Sequence, residues 1–200
     1  MNPKGGFMSE TNAADRIIKR VAFLEGDVTK DKMNQLRTAC INFSQQSEDP
    51  ILLVIDSMGG ALDPALAFYD FIRLFDINLH TVAAGRCGSS AILPFLSGKK
   101  RMMTRHSWLW VHNVRRDIQV FVGDDINHIK RKIEIDLEET MIVTQRVIST
   151  IQERTNQTCE VIQKLINEGQ EFNAYISPEK SLQLGFVNEI VDSLTSSKQG

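Results

Sequence analysis

Twice in this chain an unbroken apolar run ends at a glycine-bearing corner and is followed at once by helical spacing. Ile51–Ile55 (ILLVI) runs into Asp56-Ser57-Met58-Gly59-Gly60, ahead of a helix predicted over Pro64–Phe75. Leu79–Ala84 breaks at Gly85, and a helix predicted over Ser89–Leu96 starts directly after Gly88. An apolar run without polar alternation describes a strand buried on both faces, which needs helices above and below it. Strand–corner–helix repeated in this way points to an α/β fold with a mostly parallel sheet.

The remaining pattern extends the alternation. Arg20–Leu24 reads as a first strand ending near Gly26, and Thr29–Ser44 as a helix with Met33, Leu36, Cys40 and Phe43 on one face and Thr29 as its cap. Arg101–Met103 and Trp108–Val111 read as strands. Asp124–Arg154 keeps helical apolar spacing throughout, from Ile126 through Ile133, Leu137 and Met141 to Ile151. At 1.5 Å per residue such a helix is roughly 45 Å long, too long to lie wholly against a core of this size. Its apolar stripe is expected to project and be covered by another subunit. A helix over Glu160–Glu168, a strand over Phe172–Ile176, a short helix over Pro178–Leu184 and a strand over Val187–Val191 complete the series.

Two hundred residues with no internal repeat or low-complexity linker fit a single domain spanning 1–200, with its core at about 15–192. Lys and Arg number 23 against 25 Asp and Glu, a balance that does not fit a nucleic-acid-binding face. No run approaches the roughly 20 apolar residues that a membrane-spanning helix needs, and the first residues lack the apolar stretch of a secretory signal. Cys40, Cys87 and Cys159 show no CxxC spacing, so neither a disulfide framework nor a zinc site is expected and a reducing, cytoplasmic setting is. His80, His106 and His128 lack ligand spacing, and no paired carboxylates argue for a metal; no cofactor is expected either.

The chemistry concentrates at the corners. Glycine there permits positive φ and close backbone approach, and a serine opening a helix at such a corner sits beside main-chain N–H groups able to hold a developing oxyanion. By itself, Gly-x-x-Gly-Ser-Ser is equally the pattern of a capping serine.

Several segments in register resemble the proteolytic subunit of the Clp protease. VIDSMGGALDPALAFYDFI is similar to that family's strand, Gly-Gly and Tyr-Asp segment, with Asp56 and Met58 where Asn and Pro are usual. AAGRCGSSAILPFLSG is similar to its nucleophile segment, with Ser89 at the serine position and the Gly60–Ser89 interval unchanged. HSWLWVHN resembles the strand that delivers the family's histidine, DRIIKRVAFLEGDV the opening strand, and SLQLGFVNEIVD the closing segment.

The resemblance implies a ClpP/crotonase-like repeated β-β-α superhelix with a long projecting handle helix. It implies a serine endopeptidase acting on unfolded polypeptide, with Ser89 as nucleophile, His112 as base, and the N–H groups of Gly60 and Ser90 as the oxyanion hole. It sets Asn173 at the position of the triad aspartate. Asn can orient an imidazole but not balance its charge, so slow turnover is expected; Glu171 is an alternative orienting group if its segment is extended. Further implied are self-association into rings, heptameric or stacked heptamers, through the long helix, and docking of an AAA+ unfoldase, for which Leu52 and Val54 replace the family's tyrosines. Phe172 stands where many members carry an inter-ring arginine. Two other functions share the pattern: a catalytically inactive assembly subunit of the same fold, and a crotonase-type acyl-CoA enzyme, which needs carboxylates in its pocket rather than Ser89. Cys87, Ser90 and Ser107 are expected to be packing residues in their side chains, and Trp108 and Trp110 either a half-exposed strand or a wall of the substrate groove.

Overall fold

A computed structural model describes the backbone of residues 19–115, 121, 123, 125–172 and 175–194. Its centre is a parallel sheet in the order β1-β2-β3-β4-β6, formed by Val21–Val28, Ile51–Gly60, Leu79–Gly88, Lys100–Thr104 and Glu189–Val191. Strand β5, Trp108–Trp110, lies off this path, pairing parallel with Arg86–Gly88 at the end of β3, whose beginning pairs with β4. Helices α1 (Lys30–Ser44) and α2 (Leu62–Leu74) make the crossovers between the first three strands. The α/β parallel architecture expected from the buried runs is therefore the one observed.

The core lies between this sheet and the helices. Leu24, Ile55, Leu79 and Ala83 of the strands meet Met33 of α1 and Phe68 of α2, all fully buried, while Phe95 and Phe186 close the other end. Arg101 on β4 is buried, with no carboxylate paired to it among the described residues. It donates instead to the carbonyls of Phe186, Arg154 and Gly185, tying the sheet to the ends of two helical segments. Burial lowers its pKa to about 10, with the neighbouring Arg154 adding to the shift.

Strand ends depart from the sequence expectation in an informative direction. The runs expected to stop at Ile55 and Ala84 continue to Gly60 and Gly88. Polar and glycine residues are carried in β2 because its partners supply ladder bonds across a bulge, where Asp27 and Val28 align with Gly59 and Gly60. The Ser57 hydroxyl donates to the Gly26 carbonyl and accepts from Gly59 N–H, fixing that bulge. The helix expected over Ser89–Leu96 divides into a single 3₁₀ turn, Ser89–Ala91, and α3, Ile92–Leu96.

The long helix α4 spans Ile126–Thr155, its N-terminus capped by Asp125, whose carboxylate accepts from Asn127 and His128 N–H. Only Val143, Ile148, Ile151 and Thr155, all in its second half, are buried. Helix α5 runs over Cys159–Phe172, beyond the expected end at Glu168, with Ile162, Leu165 and Ile166 on the core. Of the strand expected over Phe172–Ile176, Phe172 ends α5, residues 173 and 174 lie outside the described residues, and Ile176 bridges, antiparallel, to Leu109. Helix α6, Pro178–Gln183, precedes β6.

Candidate active site

Three strand ends converge on one cleft. At the end of β2, Gly59 and Gly60 take φ of +98° and +150°. A side chain on Gly59 would lie 2.7 Å from Ser89 Cβ and 2.9 Å from Ser90 N, and one on Gly60 2.5 Å from the Val28 carbonyl oxygen. These contacts are with backbone and with Ser89 itself, so glycine is required for the two corners to meet.

Ser89 follows the end of β3 with φ +52°, left-handed backbone for a residue with a side chain. Such a conformation costs about 1–3 kcal/mol and persists only where the surroundings enforce it. Here it follows an extended Gly88 and opens the 3₁₀ turn. His112 lies two residues beyond β5, and its Nε2 sits 2.8 Å from Ser89 Oγ. Gly60, Ser89, Ser90 and His112 all border one cleft of about 390 Å³, whose apolar wall includes Leu93, Val147, Ile151 and Ile166.

Burial holds the His112 pKa below the ordinary histidine value, the positive charge of Arg115 adding to this and the Asn113 backbone opposing it. The imidazole is therefore neutral at pH 7, and a neutral ring whose Nε2 accepts from the serine hydroxyl carries its proton on Nδ1. That nitrogen is buried with no hydrogen-bond partner among the described residues. Asn173 lies outside the described residues. Glu171 belongs to the last turn of α5 rather than to the extended segment on which its expected orienting role depends.

Several nearby residues have plainer positions. Cys87 is fully buried, with its Sγ 3.6 Å from the Ala91 carbonyl oxygen, and burial raises its thiol pKa, so it stays protonated. Asp56 accepts from Arg86 N–H at 2.9 Å, joining the ends of β2 and β3. The Ser90 hydroxyl is buried without a partner among the described residues. Sequence reasoning missed how Trp110 is used. Its ring stacks on His112 with centroids 4.3 Å apart, and its indole N–H donates to the Gly169 carbonyl at 3.1 Å. The signal was available in strand alternation, which places residues 110 and 112 on the same side.

A parallel sheet flanked by helices, a long helix half clear of the core and a Ser–His pair at the strand ends define the ClpP-like class of α/β proteins. The Clp protease family model matches residues 8–194, and the chain belongs to that family. Among curated relatives it is 26% identical over 179 residues to ATP-dependent Clp protease proteolytic subunit 2 of Synechococcus sp. (strain CC9605), covering 87% of this chain and 84% of that one. It is 24% identical over 198 residues to proteolytic subunit 1 of Prochlorococcus marinus (strain MIT 9312), covering 96% and 94%. Among solved structures, an Asn-to-Asp mutant of ClpP1 from Listeria monocytogenes superposes with a TM-score of 0.74 at 22% identity, covering 90% and 97%. The chain is thus a subunit of the ClpP protease family, with the family's fold.

Proposed function

We propose that this chain is a serine endopeptidase in which Ser89 and His112 carry the chemistry. The observation that bears the most weight is the 2.8 Å separation of Ser89 Oγ from His112 Nε2, on a residue held at positive φ. Ser89 Oγ attacks the peptide carbonyl carbon while His112 Nε2 takes the hydroxyl proton. The carbonyl oxygen becomes an oxyanion, for which the N–H groups of Gly60 and Ser90 are the donors. Removing one such donor typically costs about 10²–10³ in rate. Collapse of the tetrahedral species expels the amine, which takes its proton from His112. Water, deprotonated by the same imidazole, then hydrolyses the acyl-serine and regenerates both groups.

Asn173 is the third member in this reading. Its amide oxygen would accept a hydrogen bond from Nδ1–H but supplies no charge to balance the imidazolium, a difference that costs about 10⁴ in turnover when introduced into a serine protease. Basal activity is therefore low. A serine-directed fluorophosphonate tests the core of the proposal. Labelling of the native chain that disappears in Ser89→Ala supports it, and labelling that persists in Ser89→Ala, or none in the native chain, overturns it.

The assembly belongs to the same proposal. Leu137 and Met141 on α4 are 57% and 72% exposed, and a second copy of this helix would cover them in a ring or stacked rings that enclose the clefts. Of the two positions where the resemblance places unfoldase docking, Leu52 is buried in a small apolar cluster with Val82 and Met102, and Val54 is partly exposed beside it; an apolar anchor of an AAA+ unfoldase would meet Val54. One peptidase domain with its three cysteines as free thiols suits a reducing cytoplasm. The acyl-CoA reading needs acid–base carboxylates in the cleft, and among the described residues lining it there is no Asp or Glu.

A further inference from the structure

His112 is gripped on its face. The Trp110 ring lies 4.3 Å from it with the planes 27° apart, so the two side chains lie on the same side. Trp110 is in turn anchored at its far edge, where the indole N–H donates to the Gly169 carbonyl at 3.1 Å. Helix α5 approaches this closely only because residue 169 has no side chain: a Cβ there would lie 1.9 Å from the Val111 carbonyl oxygen. A chain of contacts thus runs from the α5 backbone through the indole to the imidazole and ends on Ser89.

The electrostatic setting gives this stack a second use. Arg115 is the only charged group among the described residues lining the cleft, and it is positive. The edge nitrogen Nδ1 is buried with no partner among the described residues. The π face of an indole, by contrast, carries negative potential and attracts a cation within about 6 Å, more strongly where water is excluded.

We propose that Trp110 is a positioning residue for the Ser89–His112 pair, its indole face fixing the plane of the imidazole and stabilising the imidazolium formed when His112 takes the serine proton. This rests on the peptidase reading above. It adds that the ring is supported through its face, where a charged carboxylate would support it through its edge.

Two measurements test it, one of them independent of any turnover. The first is the rate of Ser89 labelling by a fluorophosphonate as a function of pH. The second is hydrogen–deuterium exchange at His112 Cε1, read by mass spectrometry across pH, which gives the ring's titration midpoint. In Trp110→Leu the labelling rate is expected to fall at least about tenfold and the midpoint to drop by about half a pH unit. Trp110→Phe keeps an aromatic face, so its midpoint stays at the native value. Trp108→Leu, whose native ring packs tilted on Tyr175 with centroids 4.0 Å apart, leaves both readouts unchanged. Should Trp110→Leu fail to fold, Trp110→Met, flexible and without a π face, takes its place. A native midpoint and native labelling rate in the Leu or Met variant would overturn the proposal, as would an equal loss in Trp108→Leu. Absence of Ser89-dependent labelling in the native chain would sink the peptidase reading instead, while the Cε1 midpoints would still decide for or against Trp110.

Discussion

Ser89 holds a conformation that residues with side chains rarely adopt, and the reason lies on another strand. Gly59 leaves the space into which Ser89 Cβ fits, so the strain at one corner is supported by the missing side chain at the other. His112 faces that serine as a neutral imidazole, the base of the proposed chemistry. Because burial and Arg115 lower its pKa, the ring loses its proton as pH rises through a midpoint below the usual histidine value, and the base stays competent into mildly acidic solution. A plot of Ser89 labelling rate against pH should therefore rise to its plateau with a midpoint under about 6.5; a midpoint above that value would contradict the setting described. Asn173→Asp adds the missing charge, and peptide hydrolysis is expected to increase at least tenfold, toward the ~10⁴ difference known for the reverse change. Equal rates in the two proteins would show that residue 173 does not serve His112. Ser89 and His112 were singled out in the sequence only through register with the Clp family's segments; by themselves the glycine corner before one and the apolar strand before the other fit a capping serine and a core histidine. The stack of Trp110 on His112 was not read there, because stacking depends on ring planes rather than on residue type.

At the scale of elements, the helices are more instructive than the strands. Helix α5 ran four residues past its expected end, since its contact with the core outweighs the polar residues that close its sequence. Its Gly169 is surrounded by backbone of the segment that delivers His112. Gly169→Ala should cost about 1–3 kcal/mol through overpacking, which in a chain of this size lowers the melting temperature by several degrees. A differential scanning calorimetry trace matching the native one would mean that α5 does not approach this closely. Helix α4 shows the opposite balance. Its C-terminal half is fixed by Val143, Ile148 and Ile151, while Ile126, Leu137 and Met141 remain exposed at 63%, 57% and 72%. Apolar periodicity announced this helix correctly, but periodicity alone cannot say which half rests on the core.

For the whole molecule, that uncovered stripe is the largest unresolved demand of the fold. Replacing both Leu137 and Met141 with Glu places two charges on it. Sedimentation should then show the native chain as a multiple of 22.6 kDa and the double variant as a smaller species with unchanged helical content. A native chain that sediments as a monomer at micromolar concentration would remove the ring from the proposal.

Taken alone, the order of residues determined the strand–helix alternation, the parallel sheet and the long helix, because buried runs, helical spacing and glycine corners are local patterns; the serine and histidine worth pairing came from the resemblance to the Clp family. Tertiary structure decided how far the strands run, since Gly59, Gly60 and Gly88 are kept in β2 and β3 by pairing with neighbouring strands. It also decided the 2.8 Å contact between Ser89 and His112 and the indole laid against the imidazole. Those contacts depend on how separate elements pack in space, and no spacing along the chain encodes that.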